Sequence, residues 1–131
     1  MPRIAARAPQ EVFESHVRAL LAEDLDAIVA NFAEDAVSVT RTSVRHGHRG
    51  IRQAFIRLFL DLPHAKWHLK TTTFAKDVLF LEWSAQSEVS RAHRGVNTLV
   101  FGEGLIRAQT IRYTLLPAPA PGSPPIRSWP S

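Results

Sequence analysis

Four polar side chains stand where their neighbours are apolar, and each is of a type that does acid–base or hydrogen-bond chemistry. His16 falls within the helical stripe Val12, Phe13, His16, Val17, Leu20 and Leu21. Imidazole titrates near neutrality, so His16 can serve a pocket as hydrogen-bond donor or general base. It can equally be a core histidine bonded to a backbone carbonyl, because buried polar groups usually find a partner. Asn97 interrupts an apolar strand face; its amide donates hydrogen bonds without needing an unusual pKa, although asparagine also marks strand irregularities. Glu82, between Leu81 and Trp83, reads either as a pocket carboxylate or as the ion partner of Arg112, since a buried arginine needs a counter-charge. Arg112 and Thr110 share a face of the last strand with Asn97 when the alternation is carried around the preceding turn. There the guanidinium could hold an anionic or carbonyl group by forked bonds.

The elements that must position these groups follow from periodicity. A first helix is expected from about Pro9 to Ala22, proline suiting the first turn. A second starts after Asp24, a good N-cap, with the stripe Leu25, Ile28, Val29 and Phe32. A short strand, Ala36 to Thr40, leads into a polar loop over 41–50. A third helix runs from Ile51 to about Leu60, with Ile51, Phe55, Leu58 and Phe59 inward, and Pro63 stops it. Period-two runs then predict four antiparallel strands: Lys66 to Phe74, Val78 to Val89, Val96 to Phe101 and Ile106 to Leu115. A four-residue turn, Gly102 to Leu105, puts Thr98, Val100, Arg107, Gln109, Ile111 and Tyr113 on the outer face, and slippage by one residue would invert the last strand. Gly102 and Gly104 read as backbone relief in that turn.

Composition bounds the function classes. The chain has 131 residues, ordinary for one domain, and no cysteine, which excludes disulfides and thiolate chemistry. Residues 1–10 lack the apolar core of a secretory signal, and no apolar run reaches the ~20 residues of a membrane span. A cytoplasmic protein is the expectation. Net charge is +4, but the thirteen arginines are scattered from Arg3 to Arg127, without a nucleic-acid motif. His46 and His48 offer two metal ligands where a catalytic zinc site wants three, so no metal is expected. Residues 117–131 hold six prolines and form a separate extended arm after a single domain over 1–116; Trp129 could anchor that arm or belong to a loose tail.

Several stretches resemble the NTF2-like superfamily, in particular its SnoaL-like and ketosteroid-isomerase-like branch. They are Val17 to Val29, similar to the family's opening helix pair; Phe32-Ala33-Glu34-Asp35-Ala36-Val37, similar to its entry into the first strand; Gly47-His48-Arg49-Gly50-Ile51-Arg52, similar to the start of its third helix; and the final hairpin with Gly104-Leu105-Ile106 at its turn. The resemblance spans roughly residues 9 to 116. It implies an α+β cone, three N-terminal helices packed on a strongly curved, mostly antiparallel sheet around a cavity, and a homodimer through the outer sheet face. The isomerase branch uses an aspartate base with a tyrosine and a protonated aspartate as donors. Those positions fall on Thr40, His16 and Asn97. Threonine cannot accept a carbon acid's proton at neutral pH, so the resemblance implies a surviving donor pair without the family's base.

The expected function is a small-molecule pocket that performs cofactor-free acid–base chemistry on a small carbonyl or cyclic compound. His16, Asn97 and Glu82 are the candidate catalytic groups. Arg112, Thr110, Thr40, Phe55, Phe59 and Trp67 are the candidate ligand contacts. The competing expectation is a non-catalytic ligand- or partner-binding domain, whose cavity Phe55, Phe59 and Trp67 could fill. Membrane and nucleic-acid partners are not expected.

Overall fold

The protein is described by a computed structural model over residues 6–119. Helix α1 is Pro9–Leu21. Proline occupies its first position, and Glu11 Oε1 accepts the Ala8 N–H at 2.9 Å, so one otherwise orphaned donor is satisfied at the helix entrance. Its buried residues are Val12, Phe13, His16 and Ala19; the first three belong to the expected stripe, Ala19 joins them, and Leu21 of that stripe is exposed at the helix end. Helix α2, Leu25–Ala30, is capped by Asp24, whose carboxylate accepts the Ala27 N–H at 3.1 Å. Such a cap is worth about 1 kcal/mol.

Strand β1 is Phe32–Val39, β2 Val44–His46, helix α3 Gly47–Asp61, and strands β3 to β6 are Lys66–Ala75, Val78–Gln86, Ser90–Gly102 and Leu105–Pro117. They form one six-stranded sheet in the order β2-β1-β6-β5-β4-β3. Neighbours are antiparallel except β1 and β6, which run parallel. The expected α+β architecture, with three helices against a mostly antiparallel sheet, is therefore present. Several boundaries differ. β1 begins at Phe32, four residues before the alternating run, because Phe32 and Ala33 are both buried and mask the period of two. The loop over 41–50 contains β2 and the first turn of α3. β5 begins at Ser90, six residues early, carried across a bulge between His93 and Val96.

The largest correction concerns β6. The hairpin turn is two residues, Glu103 and Gly104, with φ of 54° and 75°. Positive φ at both centres is the mirror-type turn that matches strand twist, and glycine takes the second position without a Cβ penalty. Phe101 still faces Ile106, but Val100 then faces Ala108, leaving Arg107 as an extra residue. This bulge reverses the alternation for the rest of the strand. Gln109, Ile111 and Tyr113, expected outside, turn inward; Gln109 is only 1% exposed and donates to Ser38 Oγ at 3.0 Å. Thr110 and Arg112, expected inside, are exposed on the outer face.

The core lies between the sheet's inner face and the helices. Phe32, Ile28 and Ile51 meet Leu79, Leu99 and Ile106 there, all with 2% exposure or less. Each such side chain stabilises the fold by roughly 1.5–3 kcal/mol on burial. A further bulge in β3, between Leu69 and Thr71, adds a bend to the sheet. Gly95 lies directly against the Trp83 ring, where a Cβ would come within 2.3 Å of two ring carbons. Pro117 closes β6 opposite Ser90. Most of the proline-rich arm, with Trp129, falls outside the described residues.

Candidate functional site

Between α1, α3 and the inner face of the sheet lies a hollow of about 40 Å³. Its walls include Phe13, Val17, Leu20, Phe55, Trp67, Leu81 and Trp83, and its polar lining residues are His16 and Asn97. At roughly 10–15 Å³ per water-sized occupant, it takes a group of about three heavy atoms. Helical spacing carries His16 to the hollow, because α1 turns Val12, Phe13, His16, Val17 and Leu20 toward the sheet, leaving Leu21 of the same stripe exposed. The imidazole is packed edge-on against Phe32 and Phe55, with ring centroids 5.7 and 5.5 Å away. Among the described residues its buried Nδ1 has no hydrogen-bond partner. Burial among aromatic rings lowers its pKa from 6.5 to about 4, so the ring is neutral at pH 7.

Asn97 reaches the same hollow from β5. Its Oδ1 accepts the Trp83 indole N–H at 2.9 Å. Indole nitrogen can only donate, so this bond determines which end of the amide is which. The carboxamide oxygen is taken by Trp83, and neither hydrogen of Nδ2 is consumed in that bond. Trp83 is in turn held between Trp67 and Tyr113, with centroids 5.4 Å from each. These tilted ring contacts thus orient the amide from behind.

The remaining expected site residues divide. Phe55 and Trp67 line the hollow. Phe59 stands one ring back, 6.4 Å from Phe55, and supports the wall. Glu82 is corrected: it lies on the outer sheet face opposite Thr71 and Val96, away from the hollow. The alternation from Leu81 and Trp83 puts it there, since those two point inward. Arg112 and Thr110 are corrected with it, by the β6 bulge. Glu82 and Arg112 both pair with Val96, so two strand spacings, roughly 10 Å, separate them. No ion pair joins them among the described residues. Thr110 instead accepts the Thr98 N–H through Oγ1. Thr40 closes the β1–β2 turn, where its hydroxyl accepts the Ser43 N–H at 3.1 Å. His48 donates Nε2–H to the Phe32 carbonyl at 2.8 Å and is a structural link. Among the described residues no three metal-ligating side chains cluster.

A second, larger cleft of about 470 Å³ adjoins the hollow, and Leu58 and Ile111 line both. Its floor carries an unforeseen pair: Tyr113 Oη donates to Asp61 at 2.8 Å. Burial first, then the hydrogen bond and the negative charge of Asp61, push the phenol's pKa up, so it stays protonated. Asp61 also meets Arg57 Nε at 3.4 Å. Fifty-two residues separate Tyr113 from Asp61, and only the reversed alternation of β6 turns the tyrosine inward. No local spacing carries that signal.

Residues 13–109 match the SnoaL-like domain family. The chain belongs to that family. No functionally curated protein matches it. Similar solved structures include an NTF2-like protein of unknown function from Cytophaga hutchinsonii, 10% identical with a TM-score of 0.67, covering 87% of this chain and 95% of its own. A proposed polyketide cyclase from Sinorhizobium meliloti is 17% identical with a TM-score of 0.64, covering 78% and 94%. A proposed ketosteroid isomerase from Kribbella flavida is 14% identical with a TM-score of 0.68, covering 87% and 83%. At these identities the likeness is one of fold.

Proposed function

We propose that the chain binds a small carbonyl-containing molecule and promotes cofactor-free enolisation or a related acid–base step on it. The observation that carries this reading is the meeting of His16 and Asn97 at one aromatic-walled hollow. A carbonyl oxygen seated there receives N–H bonds from a neutral imidazole and from a carboxamide whose other end is tied to Trp83. Fixed donors stabilise the negative charge that grows on the carbonyl oxygen as the α-proton passes to a water molecule entering from the adjoining cleft. The lowered pKa makes His16 a weak base, so donation is its principal role. The structural likeness to a proposed polyketide cyclase and a proposed ketosteroid isomerase supports a carbonyl substrate.

Two observations favour a second reading, binding without catalysis: among the described residues no carboxylate lines the hollow, and the family's base position falls on Thr40, which closes the β1–β2 turn. Exchange distinguishes the two. Acetophenone deuterated at its methyl group should lose deuterium to water faster with wild-type protein, followed by proton NMR. His16→Phe and Asn97→Leu should each slow that loss by about 10²-fold, the usual effect of deleting an oxyanion donor. Binding without exchange supports the second reading, and absence of binding contradicts both.

The functional unit we propose is a homodimer through the outer sheet face. That face exposes Val78, Phe80 and Val100 at 40%, 42% and 37%, apolar surface that association would remove from water.

A further inference from the structure

The 470 Å³ cleft beside the hollow is built unlike it. Its lining contains the arginines Arg41, Arg45 and Arg57, with part of Arg112, whose side chain β6 turns to the outer face, against one carboxylate, Asp61. They come from three separate elements, the β1–β2 segment, α3 and β6, which the fold brings to one concavity. Asp61 is already engaged by Tyr113 at 2.8 Å and Arg57 at 3.4 Å. Among the described residues Arg41 has no ion-pair partner, and Arg45 reaches only the neutral Gln53 amide, at 3.4 Å. Converging like charges raise the energy of the folded state, and a concave wall focuses their field outward. A scattered basic surface would avoid both effects. The volume lies within the range of about 300–1,000 Å³ usual for small-molecule sites, whereas the hollow alone accepts only an acetyl-sized group. The two spaces meet at Leu58 and Ile111.

We infer that this cleft is the anion subsite of the same ligand, so that the natural substrate is a keto acid or an equivalent carbonyl compound bearing an anionic group, its carbonyl in the hollow and its anion against Arg41 and Arg45. The inference rests on the carbonyl assignment made above, but its own chemistry is separate. Guanidinium groups read a carboxylate or other oxyanion by charge-assisted, often forked bonds. The hydroxyls of Thr42 and Ser43, on the same lining segment, are further donors to such oxygens.

The test is calorimetric titration with levulinate and its seven- and nine-carbon methyl-ketone homologues, each beside its neutral primary amide, and with sulfate alone. Wild-type protein should bind the best acid about tenfold or more tighter than its amide at low salt, a preference that fades as ionic strength rises. Arg41→Gln/Arg45→Gln should erase that preference and leave amide affinity and Tm unchanged. Equal binding of acid and amide by wild type, an undiminished preference in the double variant, or failure of every acid to bind overturns the subsite. Sulfate binding as tightly as the best acid also overturns it, in favour of a site for a free inorganic anion. His16→Phe and Asn97→Leu report on the other half. If they leave both acids and amides unaffected while the arginine effect persists, the anion subsite stands and the carbonyl assignment fails.

Discussion

His16 couples the proposed chemistry to stability through one proton. Its folded pKa of about 4 lies below the ordinary 6.5, so between those values the unfolded chain binds the proton more readily. Above pH 6.5 the ring is neutral in both states, so proton linkage costs nothing there. Stability falls as pH drops through the window from 6.5 to 4, by about 3 kcal/mol at the lower end. Replacing His16 with Phe removes the titrating group, and chemical denaturation across this window should become measurably flatter than for wild type. An unchanged pH slope would mean that another group carries the acid sensitivity. Asn97→Leu has a different signature. It leaves the Trp83 indole N–H, in a residue 4% exposed, without its acceptor, which costs about 1–3 kcal/mol whether or not ligand is present. At this scale His16 and Asn97 are legible in the sequence because each breaks an apolar pattern. The Tyr113–Asp61 pair is not, because its partners are adjacent only after the whole sheet has assembled.

At the scale of elements, a single inserted residue decides which side chains reach the interior. Helices α1 and α2 follow from their stripes and entry residues, α3 from its stripe alone, which misses its uncapped first turn, and β3 and β4 from alternation. The failure lies in β6, where the two-residue turn preserves the Phe101–Ile106 pairing and Arg107 then bulges. Alternation predicts a face only while the ladder is regular, and a bulge leaves no mark on composition. Removing Arg107 should return Thr110 and Arg112 to the inner face and expel Gln109, Ile111 and Tyr113. Such a variant should lose its cooperative thermal transition, and full retention of the wild-type Tm would contradict the assigned register. Gly95 tests the adjoining strand. Alanine there would drive a methyl group into the Trp83 ring and should destabilise by about 1–3 kcal/mol, the usual penalty for overpacking. The same displacement should disturb Asn97, so Gly95→Ala is expected to weaken ligand binding beyond its effect on Tm.

For the whole molecule, the fold was legible from the order of elements and a few family-like stretches, whereas the site was only half so. The hollow needs two helices and four strands to converge, and the arginine cleft beside it gathers residues from 40 to 113. Scattered arginines in the sequence say nothing of that gathering. The outer sheet face makes its own prediction: Phe80→Glu should convert the proposed dimer to monomer in sedimentation while preserving the far-UV spectrum, and a wild-type protein that is already monomeric would contradict it. No helix among the described residues is long and apolar enough to cross a membrane. The proposed chemistry depends on one oxygen atom lying between an imidazole and a carboxamide. Carbon-13 NMR of acetophenone labelled at the carbonyl reads that atom directly. Hydrogen bonds from His16 and Asn97 should move the bound carbonyl signal downfield, and the His16→Phe/Asn97→Leu variant should abolish the movement. A bound signal at its solution position, or the same displacement in the double variant, would contradict it.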